Sequence, residues 1–295
     1  MTKIEQLLLY CDDSMQHTKC EKCEYKCGCM RRSRTDCYEC LSKIHKVYNH
    51  DLHYSCDKIL YNYVLKHQIR YASEIAWGYN IISRIRKEFS PSPVIYSIGC
   101  GPASELYAID EYSRRTGQFN NYYYKGFDLL NKWDVINDYS LNLFGNDKIS
   151  FLYEDMFNYI NNCGEIVDVL IANYFFSDLM RYDKQRANDV IDSICDLYIN
   201  KKILTILVND IPLFYENGDV RASAYPCMQL LEKRLEHIGV PSVVKVRFSD
   251  PKYDYIIKYG RKLKNNKCCF SIPTQVDKYE PFNVCNSIMM IISQV

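Results

Sequence analysis

Val94-Ile95-Tyr96-Ser97-Ile98-Gly99-Cys100-Gly101-Pro102-Ala103-Ser104-Glu105-Leu106 is the stretch that decides the fold. Its first five residues are β-branched or aromatic apart from Ser97, which suits a buried strand. Gly-x-Gly follows at once, and a helix-forming run opens at Ala103. Glycine at 99 and 101 permits a tight turn and lets a ligand lie against bare backbone. The first turn of the following helix aims its free N–H groups at the same place. A strand, a glycine turn and a helix in that order mark the ligand-binding corner of a doubly wound sheet.

Working outward, short β-type runs at 94–98, 122–127, 149–153, 167–172 and 203–208 alternate with helical patterns at 103–116, 131–143 and 186–198. That alternation means βαβ crossovers and a mostly parallel sheet covered on both faces. The tail offers strands at 243–248, 255–259, 269–272 and 287–292 with few helices between them, as an antiparallel C-terminal hairpin would. The expected fold class is therefore α/β, Rossmann-like, with antiparallel C-terminal strands. Texture changes at Pro91-Ser92-Pro93, which sets three regions: a Cys-rich metal-binding module at 1–50, a helical lid or linker at 51–92 and the core at 93–295. The opening Ile4, Leu7, Leu8 and Leu9 read as a short amphipathic helix. Ile59, Leu60, Tyr63 and Val64, then Ile75, Ala76, Tyr79, Ile82 and Ile85, mark one helix face or two consecutive ones across 53–89. Tyr71 and Glu74 could lie near a site as lid residues; the alternative is a helical pair packed on the sheet, with Arg70 and Glu74 as a surface i,i+4 pair.

A dinucleotide site wants a third glycine at position 104, where this chain has serine. Gly99-Cys100-Gly101-Pro102-Ala103-Ser104-Glu105 instead resembles motif I of the class I S-adenosylmethionine-dependent methyltransferases. The family usually has an acid where Ser97 stands. The resemblance implies an S-adenosylmethionine site built from Ser97, Gly99, Cys100, Gly101, Pro102 and Glu105. Asp128, at the end of the second strand, would serve the ribose, with Leu129 beside it as a further cofactor-binding candidate; Asp128 could equally cap a helix. Asp155 and Met156, after the third strand, would lie against adenine, with Asp155 also placed to cap a short helix. Asn173-Tyr174-Phe175-Phe176 falls where family members bring acceptor and cofactor together, which makes Asn173 and Tyr174 catalytic candidates and Asn173 a cofactor contact as well. The alternative is that Tyr174 and Phe175 simply wall the pocket. Asp210 is a third catalytic candidate, and Asn209 and Tyr71 are candidates for substrate contact. The implied activity is methyl transfer. Two rivals are a catalytically silent relative that keeps the fold as a scaffold and a nucleotide- or NAD(P)-dependent enzyme.

Eight of the 15 cysteines fall at or before Cys56. Cys20-x-x-Cys23 and Cys37-x-x-Cys40 form two knuckles, and four thiolates so arranged make a closed tetrahedral Zn2+ site. Cys27 or Cys29 could replace one ligand, the six thiolates could hold two zinc ions, and an iron–sulfur cluster would use the same residues. Cys11, His17 and Cys56 lie outside the cluster. Between the knuckles, Arg31, Arg32 and Arg34 present three guanidinium groups suited to phosphates. Lys258, Arg261, Lys262, Lys264 and Lys267 make a second basic run.

The net charge of +1 conceals an uneven distribution: residues 1–90 carry +4, residues 91–240 carry −8 and residues 241–295 carry +5. Basic flanks around an acidic centre are compatible with a nucleic-acid partner, and RNA is the favoured acceptor. Of the 27 tyrosines, most are expected on half-buried surfaces rather than in a base-stacking groove. No apolar run approaches the roughly 20 residues a membrane span needs. The apolar stretch at 7–10 is short for a signal-peptide core, so a soluble, cytoplasmic protein is the expectation.

Overall fold

The strand–glycine–helix segment folds as its residues dictate. Strand β1 (Val94–Ile98) runs into a turn where Gly99 and Gly101 have φ of +62° and +48°, and helix α3 (Ser104–Thr116) follows. The computed structural model describes residues 1–18, 56–86, 90–145, 147–216, 219–222, 224–237, 243–248 and 259–294. The Cys20/Cys23/Cys37/Cys40 knuckles, Cys27, Cys29, Arg31, Arg32, Arg34 and Lys258 lie outside the described residues.

Helices α1 (Lys3–His17) and α2 (Asp57–Ile85) precede the sheet. Thr2 and Glu5 form a reciprocal capping box at the start of α1, satisfying two N–H groups that would otherwise be orphaned. Helix α2 is a single unbroken helix, buried on nearly every side between α1, α3 and the sheet. After β1 and α3 come β2 (Tyr123–Phe127), α4 (Asp134–Phe144), β3 (Ile149–Leu152), α5 (Met156–Cys163), β4 (Val169–Asn173), α6 (Phe176–Tyr182), α7 (Lys184–Ile199) and β5 (Thr205–Asp210). The chain continues with a two-stranded ribbon, β6 (Leu213–Glu216) and β7 (Asp219–Ala222), then α8 (Tyr225–Glu236), β8 (Val243–Phe248), β9 (Arg261–Leu263) and β10 (Ile288–Ser293).

Among the described residues the main sheet has eight strands in the order β3-β2-β1-β4-β5-β10-β8-β9. From β3 to β5 all pairs are parallel, whereas β10 is antiparallel to both β5 and β8. Side chains alternate across the sheet with period two. Val169 and Ile171 of β4 and Met289 and Ile291 of β10 join α1–α4 on one face. Leu170, Ala172, Ile288, Met290 and Ile292 pack against α5, α7 and α8 on the other. This is the Rossmann-like α/β architecture that the alternation implies.

Two details of the tail differ from expectation. Residues 269–272 are not a strand; β9 forms at Arg261–Leu263 and pairs parallel to β8. The closing element is therefore not a hairpin. β10 enters between β5 and β8, because its six residues are all buried and need a covered position on both faces. Among the described residues no helix is long and apolar enough to cross a membrane.

Strand order reverses between β1 and β4. The first three strands step outward on one side, and the chain returns to continue on the other. Such a switch point opens a crevice beyond the carboxyl ends of the two central strands. Here those ends are Gly99 and Tyr174.

Candidate functional site

A cavity of about 470 Å³ occupies that crevice, within the range of small-molecule sites. Gly99, Cys100, Gly101, Pro102, Glu105, Asp128, Leu129, Asp155, Met156 and Asn173 all line it, although they come from four separate strand ends.

Asp128 ties the second strand to the glycine turn. Gly101 N–H donates to its Oδ2 at 2.9 Å and Leu130 N–H to its Oδ1 at 2.9 Å. The turn is further fixed by Cys100 N–H donating to Phe127 O at 3.0 Å. A carboxylate oxygen carries more than one lone pair, so Asp128 keeps acceptor capacity toward the cavity. It heads no helix through its own side chain in the manner of an N-cap, since the 3₁₀ turn Asn131–Trp133 begins without a side-chain cap bond. Asp155 caps α5, its Oδ1 accepting from Phe157 N–H at 2.8 Å and Asn158 N–H at 3.1 Å, and it lines the cavity.

The floor is a chain of buried polar groups. Asn173 Nδ2 donates to Glu105 Oε1 at 2.8 Å, and its Oδ1 accepts from Asn209 Nδ2 at 2.8 Å. Asn209 also donates to Glu74 Oε2 at 3.0 Å and accepts from Ser287 Oγ at 2.6 Å. Glu74 receives two further bonds, from Tyr174 OH at 3.0 Å and from Asn286 N–H at 2.9 Å. Burial raises the Glu74 carboxyl, and Arg70 and the donors around it oppose the rise. The Arg70–Glu74 pair is thus not a solvated surface pair: both residues are buried, and the Arg70 guanidinium lies 4.3 to 5.6 Å from the rings of Phe282, Tyr71 and Tyr174.

Tyr174 has φ of +54°, a conformation costly for a bulky residue and one that persists only where neighbours impose it. Three neighbours do. Its N–H donates to Asn209 O at 2.8 Å, its hydroxyl to Glu74, and its ring stacks on Tyr71 at 3.8 Å. Tyr71 faces the cavity, as expected of a residue from the covering helix.

Three expected residues are placed elsewhere. Ser97 is wholly buried on β1, behind the cavity wall. Asn209 has no exposure and reaches the wall through Asn173 and Tyr174. Asp210 does not line the cavity, because its carboxylate accepts Ser177 N–H at 2.9 Å and its own neighbour Ile211 N–H at 2.7 Å, which anchors the start of α6. Neither Asn209 nor Asp210 is thus in position to touch a ligand directly. Reasoning from the sequence also missed Trp133 and Tyr63, which lie edge to face 5.6 Å apart and wall the cavity. Trp133 carried one signal: it sits five residues past Asp128 on the same loop.

Burial holds two carboxyls well above their ordinary values. Glu105 is pushed up to about 7, with Asn173 and the neighbouring hydroxyls of Ser97 and Tyr124 opposing the shift, and its Oε2 makes no hydrogen bond. Asp210 is likewise pushed up to about 7 by burial, with Ser177 opposing. Between the ordinary values near 4 and the folded values near 7, the folded chain holds protons that the unfolded chain has released. Stability should therefore fall as pH rises through that window, by about 1.4 kcal/mol per pH unit for each group. Glu105→Gln removes its share, so urea midpoints compared at about pH 5 and about pH 8 should differ less than in the unaltered protein. An unchanged difference would mean that Glu105 titrates normally.

Among the described residues no cluster of three or more His, Cys, Asp or Glu side chains is arranged to hold a metal. No family model matches this sequence, and no curated protein matches it. Solved structures resemble its fold. Human methyltransferase 10 domain-containing protein is 12% identical, with 76% of this chain and 82% of that chain covered and a TM-score of 0.45. An S-adenosylmethionine-dependent methyltransferase from Archaeoglobus fulgidus is 14% identical, with 75% and 94% covered and a TM-score of 0.42. At these identities the likeness is one of fold.

Proposed function

We propose that this chain is an S-adenosylmethionine-dependent methyltransferase whose cofactor occupies the crevice beside Gly99 and Gly101. The observation that carries this reading is the Gly101–Asp128 bond. It brings bare backbone and a carboxylate to one wall of a cavity of suitable size. The residues present fit the group. A Cβ at Gly99 would lie 2.7 Å from the Phe175 ring, and one at Gly101 would lie 3.6 Å from Trp133 and take up space in the cradle.

Asp128 would accept the ribose hydroxyls. Leu129, Asp155 and Met156 would meet the adenine, and the Glu105–Asn173 pair would form the polar wall nearest the amino-acid end. When bound, the cofactor supplies a methyl group on a positively charged sulfur, which is already a good leaving group. The protein's contribution is then positioning and exclusion of water. Tyr63, Tyr71, Trp133, Tyr174 and Phe175 do the excluding. Asn173 has its amide committed at both ends, to Glu105 and to Asn209, so it orients the wall and carries no proton.

A nucleic acid, with RNA favoured, is the proposed acceptor. It is supported by the exposed Arg261, Lys262, Lys264 and Lys267 near the sheet's edge strand β9, and by the sequence of the arginine-bearing, cysteine-rich module, for which Zn2+ is the proposed metal. Titration calorimetry with S-adenosylhomocysteine tests the cofactor half. One-site binding in the micromolar range that NAD does not displace is expected; absence of binding, or displacement by NAD, would sink it.

A further inference from the structure

Of the nine cysteines among the described residues, Cys268 and Cys285 are in thiol contact, Sγ to Sγ at 3.9 Å. Their backbones are pinned together. Lys267 and Val284 form an antiparallel bridge, with Cys268 N–H donating to Asn283 O at 3.1 Å and Cys285 N–H donating to Asn266 O at 2.7 Å. Residues 268 and 285 thereby fall on the same side of the bridged pair. Closing the gap to a bonded pair needs the sulfurs to approach by about 2 Å, and because the two residues are diagonal neighbours across the bridge the backbone must shift with them. Cys268 is half-buried and Cys285 wholly buried, so one sulfur is open to a reagent and the other waits behind it.

We propose that Cys268 and Cys285 form a reversible dithiol modification site, closed to a disulfide by a peroxide, and that closure loosens the polar floor of the cavity. In the first step the Cys268 thiolate attacks one peroxide oxygen. The O–O bond breaks, the sulfur is oxidised to sulfenic acid, and hydroxide leaves with the electron pair. In the second step Cys285 sulfur attacks the sulfenic sulfur, the S–O bond breaks, and the oxygen leaves as water with the Cys285 proton. A hydrogen bond from Cys285 lowers the Cys268 thiol, favouring it as the attacking group. The same bond raises Cys285, a restraint that vanishes once Cys268 has been oxidised and no longer carries charge.

The connection to the cavity is covalent and short. The residue after Cys285 is Asn286, whose N–H holds Glu74 Oε1, and Ser287 next to it holds Asn209. Drawing Cys285 toward Cys268 pulls both donors away from the two side chains that fix Tyr174 and Asn173. Cys269 N–H, on the other strand, donates to Ser73 Oγ of the same α2 turn, so both sides of the dithiol are tied to α2.

The test uses the full-length protein, reduced and then treated with hydrogen peroxide, with free thiols alkylated before proteolysis and mass spectrometry without reductant. The expected product is a Cys268–Cys285 crosslinked peptide that dithiothreitol reverses. In Cys285→Ser, Cys268 is expected to stop at sulfenic acid, trapped by dimedone. Cys268→Ser, at the more exposed position, tests the same pair and should leave Cys285 alkylatable after unfolding. A link from Cys268 to Cys269 or to any other cysteine, or a Cys268 that stays free under peroxide, overturns the site. The effect on the cavity rests on the cofactor reading above: the crosslinked protein should bind S-adenosylhomocysteine about tenfold more weakly than the reduced one, as expected for losing a hydrogen bond to a charged group. Equal affinity overturns that half alone. The crosslink is read by mass, so it stands whether or not the cofactor binds.

Discussion

Asp128→Ala should weaken S-adenosylhomocysteine binding by about 100-fold or more and lower stability as well. Two backbone N–H groups, of Gly101 and Leu130, lose their charged acceptor at once. Bonds to a charged group contribute about 1.5–3 kcal/mol each. Water can reach this half-buried position and replace part of the loss, so the cost to folding should be near 2 kcal/mol. Binding suffers more, because the ribose would lose its acceptor and the glycine turn would lose the strut that holds it open. Asp128→Asn is the informative companion. Its amide nitrogen must face one of the two N–H donors, so it should lie between the other two proteins in both calorimetry and urea denaturation. An Asp128→Ala protein that melts and binds like the parent would separate this carboxylate from the site altogether.

Gly260→Ala should be the most damaging single-methyl change in the tail. Gly260 has φ of +55°, and a Cβ there would lie 2.2 Å from Lys245 O and 2.3 Å from Lys245 C. Those are backbone atoms of β8, fixed between β10 and β9, and they cannot step aside as a flexible side chain would. The carbonyls of Tyr259 and Gly260 are also held by Arg247 Nη1 at 3.0 and 2.8 Å. The expected cost is about 3 kcal/mol or more, a sum of left-handed strain and overpacking. Gly117→Ala is the internal control. Its φ is +71°, but a Cβ there meets nothing within 4 Å, so it should cost only the backbone strain, about 1 kcal/mol. If urea midpoints show equal losses for the two variants, close approach of β8 is not what requires glycine at 260.

Local patterns made the cradle legible in the sequence and left its supports hidden. A strand that runs into Gly99-x-Gly101 and a helix must place those glycines at a strand's carboxyl end, whatever the rest of the chain does. Asp128 and Asp155 were readable for the same reason, each closing a hydrophobic run. Glu74 was not. Its helix position looks like half of a surface ion pair, and its four bonded partners sit at 174, 209, 286 and, by charge, 70. No pattern within one helix shows that residues from three strands' ends will arrive there. Asp210 misled in the opposite way: an acid at a central strand's end resembles a site residue, but the α6 N-terminus, itself not evident from sequence, turns it inward as an anchor. The short apolar run 288–292 was readable as a strand, while its slot between β5 and β8 depends on partners tens of residues away.

That slot governs how the molecule can be made. Until Ile288–Ser293 has left the ribosome, β5 and β8 each present a row of unsatisfied N–H and C=O groups, and the nascent protein carries two sticky edges in what will become its interior. β10 follows both of its partner strands in the chain, so the growing polypeptide must be shielded from its neighbours from the synthesis of β5 until β10 emerges. A stop anywhere before Ile288 should therefore release a chain that aggregates.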